Sequence, residues 1–301
     1  MYLEGYRRKF EQELSGAIVR FGEKNRLRDA CEYALVCGGK RLRPLIVMMA
    51  ADALGNGLDV LPAALSVEFF HTASLIADDL PCMDNDNIRR NRPSLHTAFG
   101  EATAILASYT LIAEGYGGIR LNGERMKENA RFASQASDVS LLCLEAATRC
   151  AGIQGATNGQ FLDLFPPDST WETIQKVIMQ KTVTLFEISF YFGWLFGGGS
   201  PLLLEDLRLC AFHLGMSFQI ADDLDDDGQD GETGVNIATL LGKEKAIALF
   251  EREIALFRSS LEGLGLWTSP FQELFTALHQ VGAKASPAGF LGNGTPDAIL
   301  A

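Results

Sequence analysis

Apolar residues recur at three- and four-residue spacings through residues 2–21, 42–54, 62–76, 98–112, 132–150, 174–196, 203–221 and 244–261, whereas strand-like alternation is nearly absent. A chain patterned this way buries its apolar surface by packing helix faces on one another. The punctuation agrees. Leu54-Gly55-Asn56-Gly57 stops one helix, Pro62 suits a first turn, Ser169 with Glu172 makes a capping-box pattern, and Gly197-Gly198-Gly199-Ser200-Pro201 is a break. No low-complexity linker or fixed-period repeat interrupts the interior. The expected fold is all-α, a single large helical bundle of about ten helices over residues 1–284. Residues 285–301 lose the period and gather Pro287, Gly289, Gly292, Gly294 and Pro296, the composition expected of a disordered tail.

Composition narrows the function. With 47% hydrophobic and 21% charged residues the chain can bury a large core. The longest apolar run, 185–199, is interrupted by Glu187, ends in glycines and falls short of the roughly 20 residues of a bilayer span, so it reads as a buried helix. Residues 1–10 show no secretory h-region, and a cytoplasmic protein without transmembrane segments is expected. Six cysteines, none in Cys-x-x-Cys spacing, suggest neither zinc nor a disulfide framework. A net charge of −12 argues against nucleic acid or an anionic membrane as partner. Two basic clusters run against that charge: Lys40, Arg41 and Arg43, and Arg89, Arg90 and Arg92.

Two acidic segments each follow an apolar helix. Asp78-Asp79 precede Pro81, which should stop the helix and let a bend return Asp84 towards Asp78. In the second segment, Asp222-Asp223 through Asp226, the helical period puts Asp222 and Asp226 on one face. Carboxylates at this density repel, and hard dications with oxygen ligands relieve the repulsion. Magnesium, which prefers one or two carboxylates plus substrate phosphates, fits two short clusters better than a closed cage does. A solvated acidic surface is the plain alternative for either run alone. Asp223, Asp225, Asp227 and Gly228 also match the first half of a calcium loop, but its twelfth position is Gly234 rather than glutamate.

Gly38-Gly39-Lys40-Arg41-Leu42-Arg43-Pro44 offers flexible backbone and three cations within four residues, suited to holding a diphosphate. His71 lies two helical turns before Asp78 on nearly the same face, within reach of a phosphate near the metal site.

In this order, GGKRLRP, HTASLIADDLPCMDNDNIRR, NGQFLDL, QKT and FQIADDLDD resemble the trans-isoprenyl diphosphate synthase (polyprenyl synthetase) family over about residues 1–281. The resemblance implies a homodimeric bundle of the isoprenoid synthase type, with the two aspartate motifs facing across a central active-site cavity. Asp78, Asp79, Asp84, Asp222, Asp223 and Asp226 would hold three Mg2+ against an allylic diphosphate. Lys40, Arg43, His71 and Arg90 match positions that bind isopentenyl diphosphate. Arg89, Lys181 and Gln219 match positions around the allylic diphosphate, with Thr182 and Gln160 as further polar positions. Metals and cations together would stabilise the departing diphosphate.

The sequence departs from the family pattern in places. No lysine occurs in residues 224–242, Val235 and Ile237 stand where a lysine and a tyrosine are typical, and Ala77 replaces a histidine. Ser108-Tyr109 replaces a Gly-Asp pair, Val183 follows Lys181-Thr182 instead of glycine, and Asn91 replaces glycine after Arg89-Arg90. Small Ala73 and Ser74, one turn before the first motif, favour geranylgeranyl diphosphate over farnesyl diphosphate, with Tyr109 or Phe70 as side chains able to close the tunnel. The rivals are a low-activity or regulatory synthase-like subunit, a terpene cyclase, and a structural calcium-binding helical protein.

Overall fold

The structure, a computed structural model, describes residues 1–225 and 237–284. The expected tail at 285–301 lies outside the described residues. Fourteen α-helices occur among the described residues: α1 (Tyr2–Val19), α2 (Arg26–Leu35), α3 (Leu42–Ala53), α4 (Leu61–Asp78), α5 (Leu95–Phe99), α6 (Glu101–Lys127), α7 (Ala136–Ala151), α8 (Ala156–Leu164), α9 (Trp171–Ile178), α10 (Thr184–Phe196), α11 (Leu204–Asp225), α12 (Ile237–Leu241), α13 (Lys243–Gly263) and α14 (Ser269–Lys284). A short hairpin, β1 (Ile88–Arg89) and β2 (Arg92–Pro93), is the only strand pair among those residues. The all-α expectation holds, with more helices than the period alone delimits.

The apolar run around 185–196 becomes the axis of the bundle. Every residue of α10 is buried, because α3, α7 and α11 surround it. Phe186, Phe190, Phe192 and Phe196 are wholly enclosed and are joined in the core by Phe10, Phe250, Phe257 and Phe271. At roughly 1.5–3 kcal/mol per buried aromatic or aliphatic side chain, this layer supplies much of the rigidity on which the site rests. No helix of the described residues is long and apolar enough to cross a membrane. Glu187, the polar interruption of the run, is paired by Arg149 of α7 at 2.5 Å.

The period at 174–196 does not form one helix. It divides into α9, a π turn at Met179–Val183 and α10. A π turn leaves the apolar stripe nearly continuous while re-aiming the side chains inside it, a form common at functional sites. Here those side chains include Lys181 and Thr182. α2 escaped the periodicity reading because it is short and polar, although Asn25 is an N-cap that accepts from Arg28 N at 2.9 Å.

One glycine explains how closely the central helices approach. A Cβ on Gly193 of α10 would overlap the Val47 carbonyl oxygen of α3 and stand 2.9 Å from the Ala50 Cβ. Gly193→Ala should therefore destabilise the protein by about 1–3 kcal/mol through overpacking, although in an exposed helix the same change gains up to about 1 kcal/mol. Thermal unfolding followed by circular dichroism checks the sign; an unchanged or raised Tm would refute the close packing.

Candidate active site

The first aspartates sit where α4 runs out. Asp78 is its last residue and Asp79 its C-cap; after Pro81 the chain turns back, Asp84 N donating to Asp78 O at 2.9 Å and Asn85, at φ 56°, donating its N–H to Leu80 O at 3.1 Å. The expected bend is present and brings Asp84 beside Asp78. Asp78 and Asp79 are buried, Asp84 is exposed. Arg89 clamps Asp79, with Nε donating to Oδ1 at 2.9 Å, and its other arm reaches Asp86 at 3.3 Å. Burial pushes the Asp78 carboxyl up to about 7; Asp84 and Asp79 push the same way, while Lys181 and Arg89 oppose.

The hairpin aims the arginines. Arg89 pairs with Arg92 across a two-residue turn in which Arg90 and Asn91 have φ of 53° and 59°. Turns of this kind need left-handed backbone at both central positions, which asparagine tolerates well. The replacement of glycine by Asn91 is thereby absorbed.

The second aspartates lie in the last turn of α11. Asp223 accepts from Gln219 Nε2 at 2.8 Å and from the backbone N–H of Ile237 at 2.8 Å, and Thr182 Oγ1 donates to Gln219 Oε1 at 3.2 Å. Lys40 Nζ lies 3.4 Å from Asp222 Oδ1. Asp226 lies outside the described residues, as do Asp227, Gly228, Gly234 and Val235. Val183, another replacement for glycine, is fully buried and fits because its partner on α11 is Gly215, where a Cβ would stand 2.7 Å from Val183 Cγ2.

The basic motif splits in two. Lys40 lies over the Phe218 ring at 5.0 Å, and Arg43 over the Phe186 ring at 4.5 Å, with Nη1 3.5 Å from His71 Nε2. Arg41 faces the other way, its side chain 1% exposed between Glu11 and Glu68. The reading of three cations around a diphosphate is thus corrected to two. The left-handed backbone at Arg41, φ 50°, accompanies a side chain turned into the core, while Lys40 and Arg43 lie over the Phe218 and Phe186 rings. Arg90 donates to Gly38 O, and Gly39, at φ 120°, leaves room for that guanidinium where a Cβ would overlap it.

Two polar atoms in this corner are buried without a partner: Arg43 Nε and His71 Nδ1. Burial lowers the Arg43 pKa to about 10, against Glu68 and Asp222 and with Arg90. Burial, then Arg43 and Arg90, hold His71 well below the ordinary histidine range, so its imidazole is neutral. A half-buried cation beside a neutral ring, each with an unused nitrogen, has the donor chemistry that an anion would satisfy.

A cleft of about 570 Å³ opens beside the carboxylates, lined by Asp84, Asp163, Lys181, Thr182, Gln219 and Asp223 on its polar side and by Leu162, Leu164, Ile174, Val177 and Ile178 on its apolar side. Lys181 pairs with Asp163 at 2.5 Å; burial disfavours its charge, but Asp163, Asp78 and Asp84 raise its pKa. Gln160 Nε2 reaches Asp84 Oδ1 at 3.4 Å. Gly159 lets α8 press on the π turn, since a Cβ there would overlap Lys181 N. Asp163 drew no role from the sequence, although its position three residues after Gln160 on α8 was the available signal. The structure thus gathers the sequence-predicted residues on one side of the bundle, apart from Asp226. Tyr109 does not join them: it is 64% exposed on α6, so the expectation that it could close a tunnel from inside is corrected.

An all-α bundle with two aspartate-bearing helix ends beside a cleft, and with Arg89, Lys40 and Lys181 paired to its carboxylates, defines the trans-prenyltransferase class, and similarity to known proteins agrees. The polyprenyl synthetase family pattern matches residues 24–239. The chain belongs to that family. It is 35% identical to a farnesyl diphosphate synthase of Geobacillus stearothermophilus over 250 residues, covering 81% of each chain. It is 33% identical to a trans-prenyltransferase of African swine fever virus over 274 residues, 89% of this chain and 80% of that one. A geranyltransferase structure from Legionella pneumophila superposes with a TM-score of 0.78 at 30% identity, covering 94% of this chain and 96% of that one.

The Asp78 environment makes a direct prediction. Its carboxyl should titrate near 7 in metal-free protein, and Lys181→Met, which removes the opposing cation, should raise the pKa further. Carbon-detected NMR of labelled aspartate reads both; a value in the ordinary range near 4, or a fall in the variant, would contradict the assignment.

Proposed function

We propose that this chain condenses isopentenyl diphosphate head to tail with an allylic diphosphate (dimethylallyl, geranyl or farnesyl), that geranylgeranyl diphosphate is its main product and that farnesyl diphosphate is the alternative. The observation that carries this reading is the pairing of two aspartate-bearing helix ends with Arg43 and His71, whose buried Nε and Nδ1 have no partner within the protein. Residues 1–284 act in this reading as one domain.

The carboxylates fit magnesium that arrives with substrate. Among the described residues no three His, Cys, Asp or Glu side chains converge to hold an ion unaided. Burial and the neighbouring carboxylates of Asp84 and Asp79 raise the Asp78 pKa, a cost that a dication beside them would relieve. Asp78, Asp79, Asp84, Asp222, Asp223 and Asp226 would hold up to three Mg2+. When bound, Mg2+ withdraws charge from the allylic diphosphate and so favours breaking its C–O bond, which leaves an allylic cation.

The chain's own groups do the positioning. Arg89, Lys181, Gln219 and Thr182 border the allylic diphosphate, with Lys181 exchanging Asp163 for phosphate oxygens. Lys40, Arg43, Arg90 and His71 hold isopentenyl diphosphate, His71 through a neutral ring. The isopentenyl double bond attacks the cation, forming the new C–C bond, and the proton lost afterwards passes to the released diphosphate. No side-chain base is assigned; the depressed His71 pKa makes that ring a weak one.

Product length follows from α4. Ala73 is buried and small one turn before the aspartates, and the next side chain down that face is Phe70, buried and packed edge-on against Tyr116 at 5.1 Å. The chain passes the first level and stops at the second. An apolar stripe of Leu106, Tyr109 and Ile112 on α6 with Leu141 and Leu144 on the adjoining α7 is exposed, and we take it as the surface of a homodimer; a sedimentation mass of one chain would sink that part. Six free cysteines suit the cytoplasm.

The deciding experiment incubates the protein, Mg2+, labelled isopentenyl diphosphate and each allylic primer, and measures product length. Mg2+-dependent elongation ending at twenty carbons is expected, and Asp78→Asn should lower kcat by about a hundredfold or more. Absence of elongation with all three primers overturns the synthase reading for the isolated chain and favours a regulatory subunit. Ala73→Phe should shorten the product to fifteen carbons or fewer; an unchanged length would reject Ala73 as a determinant.

A further inference from the structure

The cation that points away from the site is bonded to three helices at once. Arg41 is spent entirely on the interior: Nε donates to Glu11 Oε1 of α1 at 2.7 Å, Nη1 to Glu68 Oε1 of α4 at 2.5 Å, and Nη2 to the Leu35 carbonyl at the end of α2 at 2.5 Å. The Arg41–Glu68 pair is closed to water, with side-chain exposures of 1% and 2%. It joins the two elements that carry the anion receptor. Arg41 is the N-cap of α3, between Lys40 and Arg43; Glu68 is one turn before His71 on α4. The pair ties the start of α3 to α4, and Arg43 and His71 on the same two helices stand 3.5 Å apart.

We propose that the Arg41–Glu68 ion pair, steadied by Glu11, positions the isopentenyl diphosphate receptor, so that Lys40, Arg43 and His71 converge on one diphosphate. The proposal rests on the substrate reading above for the identity of the ligand, but its geometry holds for any diphosphate. Two opposed effects make it testable. Glu68 is a negative charge behind a receptor for anions, so if it acted through its field alone, Glu68→Gln would tighten diphosphate binding. If it acts through position, Glu68→Gln weakens it.

Two variants and two readouts decide. Glu68→Gln keeps volume and an acceptor oxygen; the double variant Arg41→Met with Glu68→Leu leaves net charge unchanged and replaces the buried pair by apolar side chains, an exchange that commonly preserves folding. The expected result is a rise of about tenfold in KM for isopentenyl diphosphate in both, with KM for the allylic primer within twofold of the parent. The double variant should regain the parental Tm without regaining the KM. An unchanged or lowered KM in Glu68→Gln, or a double variant that recovers KM together with Tm, overturns the proposal. If Glu68→Gln does not fold, the double variant alone decides. Titration calorimetry with inorganic pyrophosphate in metal-free buffer draws the same distinction without turnover: about tenfold weaker binding supports positioning, parental binding rejects it. Should the parent elongate nothing, the synthase reading fails while the pyrophosphate titration still tests the positioning role.

Discussion

Four aspartates at the C-terminal ends of two helices are the constraint from which the rest of the site follows. The C-terminal end of a helix already carries partial negative charge, so Asp78 and Asp79 on α4, and Asp222 and Asp223 on α11, add like charge to like. Such an arrangement survives only if cations are built in beside it. Arg89 on Asp79, Lys40 on Asp222 and Lys181 near Asp78 and Asp84 are those cations. The same groups suit a diphosphate with its dications, because exchanging carboxylate partners for phosphate oxygens keeps each cation paired throughout.

That exchange requires rigid supports. The aspartates come from α4 and α11 and their cations from the segment leading into α3, the hairpin and the π turn; α3, α4, α11 and the π turn pack on α10, which is buried along its whole length. Position in the site is thus fixed mainly by apolar packing, and the glycines mark where it is tightest: Gly193 against α3, Gly159 against the π turn and Gly215 against Val183. Each lets two elements approach to a distance that a methyl group would forbid.

Much of this was legible in the sequence. Helical period indicated the class of fold, Pro81 the bend that returns Asp84, and the two aspartate runs the place of the chemistry. What stayed hidden depended on backbone geometry that period does not encode. Residues 174–196 keep an apolar stripe through a π turn, so the change of hydrogen bonding at Met179–Val183 left no mark in the pattern. Arg41 looked equivalent to Lys40 and Arg43 because three cations in four residues carry no sign of direction; a single left-handed residue sends one of them inward. Tyr109 drew attention as a departure, yet a residue's face on a 27-residue helix is settled by what packs around it, and α6 presents it outward.

The departures from the family pattern separate by the same reasoning into those the backbone absorbs and those that alter chemistry. Asn91 takes the left-handed position that glycine usually fills, and Val183 fits because Gly215 gives way to it. Neither removes a charge from the site. The absence of lysine from residues 224–242 does remove charge; Asp223 is held there by the Ile237 N–H and by Gln219, donors that fix the carboxylate's position. At the first cluster Arg89 and Lys181 both act on Asp78, and at the second Lys40 stands 3.4 Å from Asp222. Each cluster is thus met by a cation from another element, and the aspartates of α4 and α11 are balanced by packing as much as by their own sequence neighbours.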